Sequence, residues 1–289
     1  MRILVFGRSG QLAREIAALA GPDLAVTCLG REAADLRDPA ACAAAVAAHP
    51  ADAVINAAAF TAVDAAETAE AEAHLVNAEA PGAMAGAAAD RGVPFLHVST
   101  DYVFPGTPGR PWREDDPPGP LSAYGRTKLA GERAVLAAGG DAVILRTAWV
   151  FAGHGRNFVA TMLRLAATRP ELAVVDDQLG CPTPAGAIAR ALVTLARRRI
   201  AGQGAGGIFH FAGRPAVSWC GFARAIIACA GLSTPVRAIT TADFPTPARR
   251  PANSVLDCTR IERIHGIARP DWQAALPAVV AALRGQAPA

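Results

Sequence analysis

Apolar residues in this chain come in short unbroken runs rather than in alternation with polar ones. The runs "RILVFG" (2–7), "LAVTCL" (24–29), "ADAVINAAA" (51–59), "VPFLHVST" (93–100) and "DAVILRTAWVF" (141–151) are bounded by glycine, proline or charge. Between them lie Ala-rich stretches that read as helices: from about Gln11, over about 39–48, over about 71–91, and through "SAYGRTKLAGE" (122–132). A strand that is apolar on both faces has to be covered on both faces. Alternation of such strands with helices predicts a doubly wound, Rossmann-type α/β parallel sheet.

Beyond residue 151 the rhythm loosens. Helices are expected near 157–168, 185–199, 218–230 and 272–284, and strands at 172–177 and 206–213. A Pro-rich stretch, "DFPTPARRPANSVLD" (243–257), precedes the last helix. The division expected is a dinucleotide-binding domain over 1–150, with return segments near 185–212, and a smaller C-terminal α/β substrate lobe over 151–289.

Composition narrows the class. At 289 residues, 52% hydrophobic and 18% charged, the chain carries enough apolar content for a full core. A net charge of +3 argues against a nucleic-acid partner. The triplet Arg197-Arg198-Arg199 closes a helical pattern, where cations complement the helix dipole. Six cysteines without a CxxC and six scattered histidines suggest buried free thiols and no metal site. The start at "RILVF" lacks the form of a signal peptide, and no apolar run of membrane-spanning length is free of Gly, Pro or charge. A cytoplasmic protein with no membrane partner is expected.

The chemistry begins at "GRSGQLA" (7–13), directly after the first strand. Gly7 suits a tight turn, Gly10 lets a pyrophosphate approach a helix N-terminus, and Ala13 still allows close helix–strand packing. Where an acid for the adenosine ribose is usual, the chain has Gly30-Arg31. Arg31 is either a solvated arginine or a partner for a 2′-phosphate, which favours NADPH over NADH. Asp35-Leu36 fits a carboxylate and a backbone amide flanking an adenine, or else a turn before the Asp38-Pro39 helix start. "NAAAFTAVD" (56–64) ends the third strand in small residues, which serve either a dinucleotide or plain packing.

"HVSTDYVFPG" (97–106) ends the fourth strand in Ser99, Thr100 and Asp101. A hydroxyl there is a strand cap or a donor to a substrate carbonyl. Tyr124 and Lys128 on the next helix share one face. A phenol near pKa 10 is a poor acid at neutral pH unless a cation stabilises its phenolate, and Lys128 one turn away is placed to supply that charge. Trp149, at the end of the fifth strand, is core or a sugar-stacking aromatic. Arg249, Arg250, Asn157 and the turn "DQLGCPT" (177–183) read as loop charges, a helix cap and a turn, or as contacts to a nucleotide phosphate.

Taken together, GxxGxxA, STDYVF and YxxxK resemble the extended short-chain dehydrogenase/reductase superfamily. "NAAAFTAVDAAE", "STDYVFPG", "AYGRTKLAGE", "RTAWVFAGHGRNFVATML", "DDQLGCPT" and "PTPARRPANSVLD" narrow the resemblance to the dTDP-4-dehydrorhamnose reductase family, in order from residue 1 to about 273. The resemblance implies an NADPH-dependent reduction, with NADH as the alternative, of the C4 ketone of a nucleotide sugar. It implies that Gly10, Gln11 and Leu12 form the cofactor loop, and that Asp35 and Leu36 sit on the adenine side. Ala59, Phe60 and Thr61 match strand-three contacts, although the family often has His where this chain has Phe60. It assigns Thr100, Tyr124 and Lys128 as the reactive set, with Tyr124 and Lys128 also touching the cofactor. Thr100, Asp101 and Trp149 match substrate contacts.

In some members a Mg²⁺-linked dimer rests on helix glutamates. Glu15 matches one of them, but no carboxylate stands near Gly186, so no metal site is expected and a homodimer is left open. Two alternatives remain at this stage: another nucleotide-sugar 4-ketoreductase, or a non-catalytic NADP-binding subunit resembling the regulatory subunit of methionine adenosyltransferase. The second has no need of an intact Tyr-x-x-x-Lys.

Overall fold

In the computed structural model, which describes residues 1–107 and 109–285, the apolar runs become β1 (Arg2–Phe6), β2 (Ala25–Leu29), β3 (Ala53–Asn56), β4 (Phe95–Thr100) and β5 (Ala142–Thr147), and Gly207–His210 adds β6. All six pair in parallel in the order β6-β5-β4-β3-β1-β2. Successive β1 residues face opposite ways, as a pleated strand requires. Ile3 and Val5 pack with Leu12, Ile16, Ile188 and Leu192, whereas Leu4 and Phe6 pack with Val46, Met84 and Val135.

The covering helices follow from local chemistry. α1 (Gln11–Ala17) and α8 (Ala185–Ile200) lie on one face of the sheet, and α2 (Pro39–Ala48) and α5 (Ala80–Asp90) on the other. α2 starts at Asp38, whose carboxylate accepts the Ala41 N–H at 2.9 Å with Pro39 in the first turn. The shorter α3 (Val63–Ala66) and α4 (Glu70–His74) precede α5, and α6 (Ala123–Ala137) starts on Ser122, whose hydroxyl accepts the Gly125 N–H. After β5 come α7 (Phe158–Ala166), α9 (Trp219–Cys229), α10 (Thr259–His265) and α11 (Trp272–Gly285).

Strands at Leu172–Val175 and Val236–Ile239 pair in parallel outside the main sheet. They share a separate core with Phe151, Phe222, Ile226, Trp272 and Leu276.

Three local expectations need correction. The run 141–151 is two strands, because Trp149 has φ 47° and a left-handed residue cannot continue a ladder; Val150–Phe151 pairs instead with Thr183–Pro184. The helical stretch 71–91 is interrupted by a π-helical turn at Leu75–Glu79, which buries Asn77. All six thiols are free, but Cys229 is exposed and Cys28 half-buried. No helix among the described residues is long and apolar enough to cross a membrane.

Candidate active site

The carboxyl ends of a doubly wound sheet form the crevice where ligands bind. Here that edge carries the turn after β1, the segment after β3, the end of β4 and the loop after β5. Gly7 adopts φ 112°, and a Cβ there would touch Ala13 and the Ala58 backbone at 3.4–3.5 Å. Gly10 is the N-cap of α1 with extended backbone and no side-chain cap, so the first-turn N–H groups meet no side-chain acceptor from it. Leu12 is core, while Gln11 accepts at 2.9 Å from Asn157, the residue that caps α7.

On the far side of the turn, Arg31 is exposed. Arg8 pairs with Glu32, whose carboxylate lies against Gly30, so an acid stands one residue beyond Arg31. Asp35 is held by Arg37 at 2.6 Å, and the arginine's hydrogen bonds bring its carboxyl down to about 2. The Leu36 side chain is part of the core, so only its backbone is available to a ligand.

After β3, Ala59 and Phe60 are half-buried and Thr61 is exposed. Asn77 accepts the Phe60 N–H at 2.9 Å and donates to Phe60 O and to Thr127 Oγ1 on α6. The Phe60 and Tyr124 rings pack on the same small cluster of Ala66, Ala73 and Ala123.

The end of β4 meets α6 closely. A Cβ on Gly125 would collide with Tyr102 O, so only glycine lets α6 approach the Asp101–Val103 turn. The Tyr124 ring stands edge-on to Tyr102, 5.6 Å between centroids. The Tyr124 hydroxyl lies beside Thr100, which works to lower it, while burial pushes it up to about 12. Thr100 Oγ1 donates to Asp101 Oδ1 at 2.9 Å and accepts the Tyr102 N–H. Asp101 is buried, its Oδ2 has no hydrogen-bond partner, and burial raises its carboxyl to about 6.

The hydrogen bonds of Lys128 run to β4 rather than to the Tyr124 hydroxyl. Its Nζ is buried, donates to Val98 O at 2.7 Å and lies 3.1 Å from His97 Nε2. Burial brings it down to about 8, with Glu132 working against that shift. His97 in turn meets Asn56 Nδ2 at 3.2 Å. Behind them Glu132 is paired with Arg146 at 2.7 Å, both buried.

Trp149 lies flat on Trp219, 3.5 Å between centroids and 7° between planes, and fills the place a Cβ on Gly180 would occupy. Arg250 is bound to Asp64 through both nitrogens at 2.8–3.0 Å, which ties the Pro-rich loop to α3; Arg249 is not part of this clamp. Glu15 accepts from His154 Nε2 at 2.7 Å, and no group of three or more metal-ligating side chains occurs among the described residues.

Sequence reasoning missed Asn56, Asn77 and His97. The available signal was a polar residue inside an apolar run, which is costly to bury unless it is partnered.

A parallel sheet with a glycine turn at its first crossover, and a Thr–Tyr pair above a buried lysine at its carboxyl edge, defines a Rossmann-type oxidoreductase of the extended short-chain dehydrogenase kind. The family model described as RmlD substrate binding domain matches residues 1–284, and the chain belongs to the dTDP-4-dehydrorhamnose reductase family. The dTDP-4-dehydrorhamnose reductase of Sinorhizobium fredii is 45% identical over 289 residues, 98% of each chain. Among solved structures, that of the Clostridium acetobutylicum reductase has a TM-score of 0.92 at 37% identity, covering 98% of this chain and 100% of its own. The Bacillus anthracis reductase, solved in complex with NADP, has a TM-score of 0.90 at 29% identity, covering 96% and 98%.

Proposed function

We propose that this enzyme reduces the C4 ketone of dTDP-4-dehydro-β-L-rhamnose to give dTDP-L-rhamnose. NADPH held across the carboxyl edge of the sheet supplies the hydride. Gly7, the uncapped turn at Gly10 and the small wall of Ala57, Ala58 and Ala59 fit its diphosphate, with Gln11, Phe60 and Thr61 beside it. Arg31, Asp35 and the Leu36 backbone flank the adenosine end.

Tyr124 gives its proton to the alkoxide that forms at C4, and Thr100 hydrogen-bonds the same oxygen. A phenol pushed up to about 12 keeps its proton until a strong base such as an alkoxide appears beside it. Lys128 holds the ribose next to the nicotinamide. Asp101 and Trp149 contact the sugar, and the C-terminal lobe holds the nucleotide. The observation that carries the reading is the placement of Tyr124 beside Thr100 at the end of β4, in a chain 45% identical to a named reductase.

The test is NADPH consumption, followed by absorbance, on addition of a dTDP-4-keto-6-deoxysugar. Tyr124→Phe is expected to lower kcat by roughly 10²–10⁴-fold with NADPH affinity nearly intact. Survival of more than a few per cent of the rate rules out Tyr124 as the donor. Binding of NADPH without consumption with any such sugar favours a non-catalytic subunit instead.

A further inference from the structure

Asn157 is a helix cap with more hydrogen-bonding capacity than a cap uses. Its Oδ1 accepts the Ala160 N–H at 3.0 Å and starts α7. A backbone N–H can only donate, so the atom it meets is the amide oxygen and the Asn157 NH₂ points the other way. That NH₂ donates to Ala152 O at 2.9 Å, reaches His154 O at 3.3 Å, and donates across to Gln11 Oε1 on α1 at 2.9 Å. The hydroxyls of Ser122 and Ser218 cap α6 and α9 without any such group.

Orientation passes along this chain of bonds. Gln11 meets Asn157 with its carbonyl oxygen, so both N–H groups of its Nε2 are directed elsewhere, and no residue among those described accepts from them. The Gln11 stem is also confined. Gly155, at φ 71°, lies so close that a Cβ there would stand 3.4 Å from Gln11 Cγ. One turn further along α1, His154 Nε2 donates to Glu15 at 2.7 Å. The loop 152–157 is therefore fastened to α1 at two points, and the Gln11 amide is held in one of its two flips.

Gln11 directly follows Gly10, at the turn where the cofactor diphosphate is placed. Phosphate oxygens only accept, so the two flips of this amide differ in sign: Nε2 attracts the diphosphate and Oε1 repels it. We propose that Asn157 is a positioning residue for the cofactor, turning the Gln11 amide so that its NH₂ faces the diphosphate of NADPH. Val159 and Met162, which follow Asn157 on α7, belong to the separate C-terminal core. The part of the chain proposed to hold the nucleotide sugar thus also sets a contact to the dinucleotide.

The inference rests on the diphosphate lying at the glycine turn, and a double-mutant cycle keeps the two claims apart. The readout is the Kd of NADPH, from the fluorescence of its dihydronicotinamide, on the whole protein without sugar. Gln11→Met keeps the stem and removes the amide, and the Kd should rise roughly tenfold. Asn157→Asp keeps the cap of α7 but offers Gln11 an acceptor in place of a donor. The amide then turns over, Oε1 meets the diphosphate, and the Kd should rise by more than about tenfold. The added charge and any slackening of the loop act whether or not residue 11 is an amide. In the Gln11→Met background the effect of Asn157→Asp should therefore be smaller by at least about threefold.

An unchanged Kd in Gln11→Met would place the diphosphate elsewhere and overturn the inference with it. A raised Kd in Gln11→Met, with Asn157→Asp acting equally in both backgrounds, would leave the cofactor where it is and overturn the role of Asn157. Should Asn157→Asp fail to fold, Asn157→Ser keeps a cap but is too short to reach Gln11. It enters the same cycle, and an equal effect in both backgrounds again overturns the proposal.

Discussion

Asp101 keeps a carboxyl oxygen, Oδ2, buried without a partner beside the reactive hydroxyls. Its carboxyl is raised to about 6, so the native chain binds this proton more tightly than the unfolded chain does. Stability contributed by this group is present at low pH and is lost as pH rises from about 4 to 6. Asp101→Asn removes the buried charge and should stabilise the protein at pH 7.5 by up to about 3 kcal/mol, the cost of roughly two pKa units. The gain should fade near pH 4. Urea unfolding at the two pH values checks this, and an equal difference at both would show that Asp101 is not the titrating group. Turnover should fall in the same variant, because a group that costs stability this deep in a crevice is placed there for a ligand.

At the scale of the element, α6 delivers Tyr124 and Lys128. Its register against β4 is set by contact rather than by helix propensity. Gly125 allows the approach to Tyr102 O, and Thr127 is tied to Asn77 at 3.1 Å. Gly125→Ala should push the helix outward, cost about 1–3 kcal/mol in urea unfolding and lower kcat more than it raises the KM for NADPH. Unchanged stability would mean that α6 is not pinned there. The Tyr–Lys spacing was visible in "SAYGRTKLAGE". What the helix packs on was not, because the π-turn that buries Asn77 has no periodic signature and the collision at Gly125 is with a backbone atom about 80 Å of extended chain away.

For the whole molecule, the Asp64–Arg250 pair joins the segment after β3 to the Pro-rich loop near the C-terminus. Asp64 is 41% exposed at its side chain, so solvent screens the pair. A double-mutant cycle on Asp64→Ala and Arg250→Ala should return a coupling of roughly 1 kcal/mol. Each single variant should raise the KM for the nucleotide sugar and leave NADPH affinity unchanged. A cycle with no coupling would make the contact incidental to closing the loop over the crevice.

The apolar runs by themselves determined the parallel sheet, since a strand apolar on both faces is stable only between two layers. The glycine turn at residues 7–10 and the shared helical face of Tyr124 and Lys128 were legible for the same reason: both are local geometry. Only the tertiary structure decided where Lys128 points. His97 and Asn56 lie 31 residues or more away in sequence, on strands that the fold alone brings alongside α6. The shift of a buried amine depends on how completely the packed layers around it exclude water, and no local pattern encodes that.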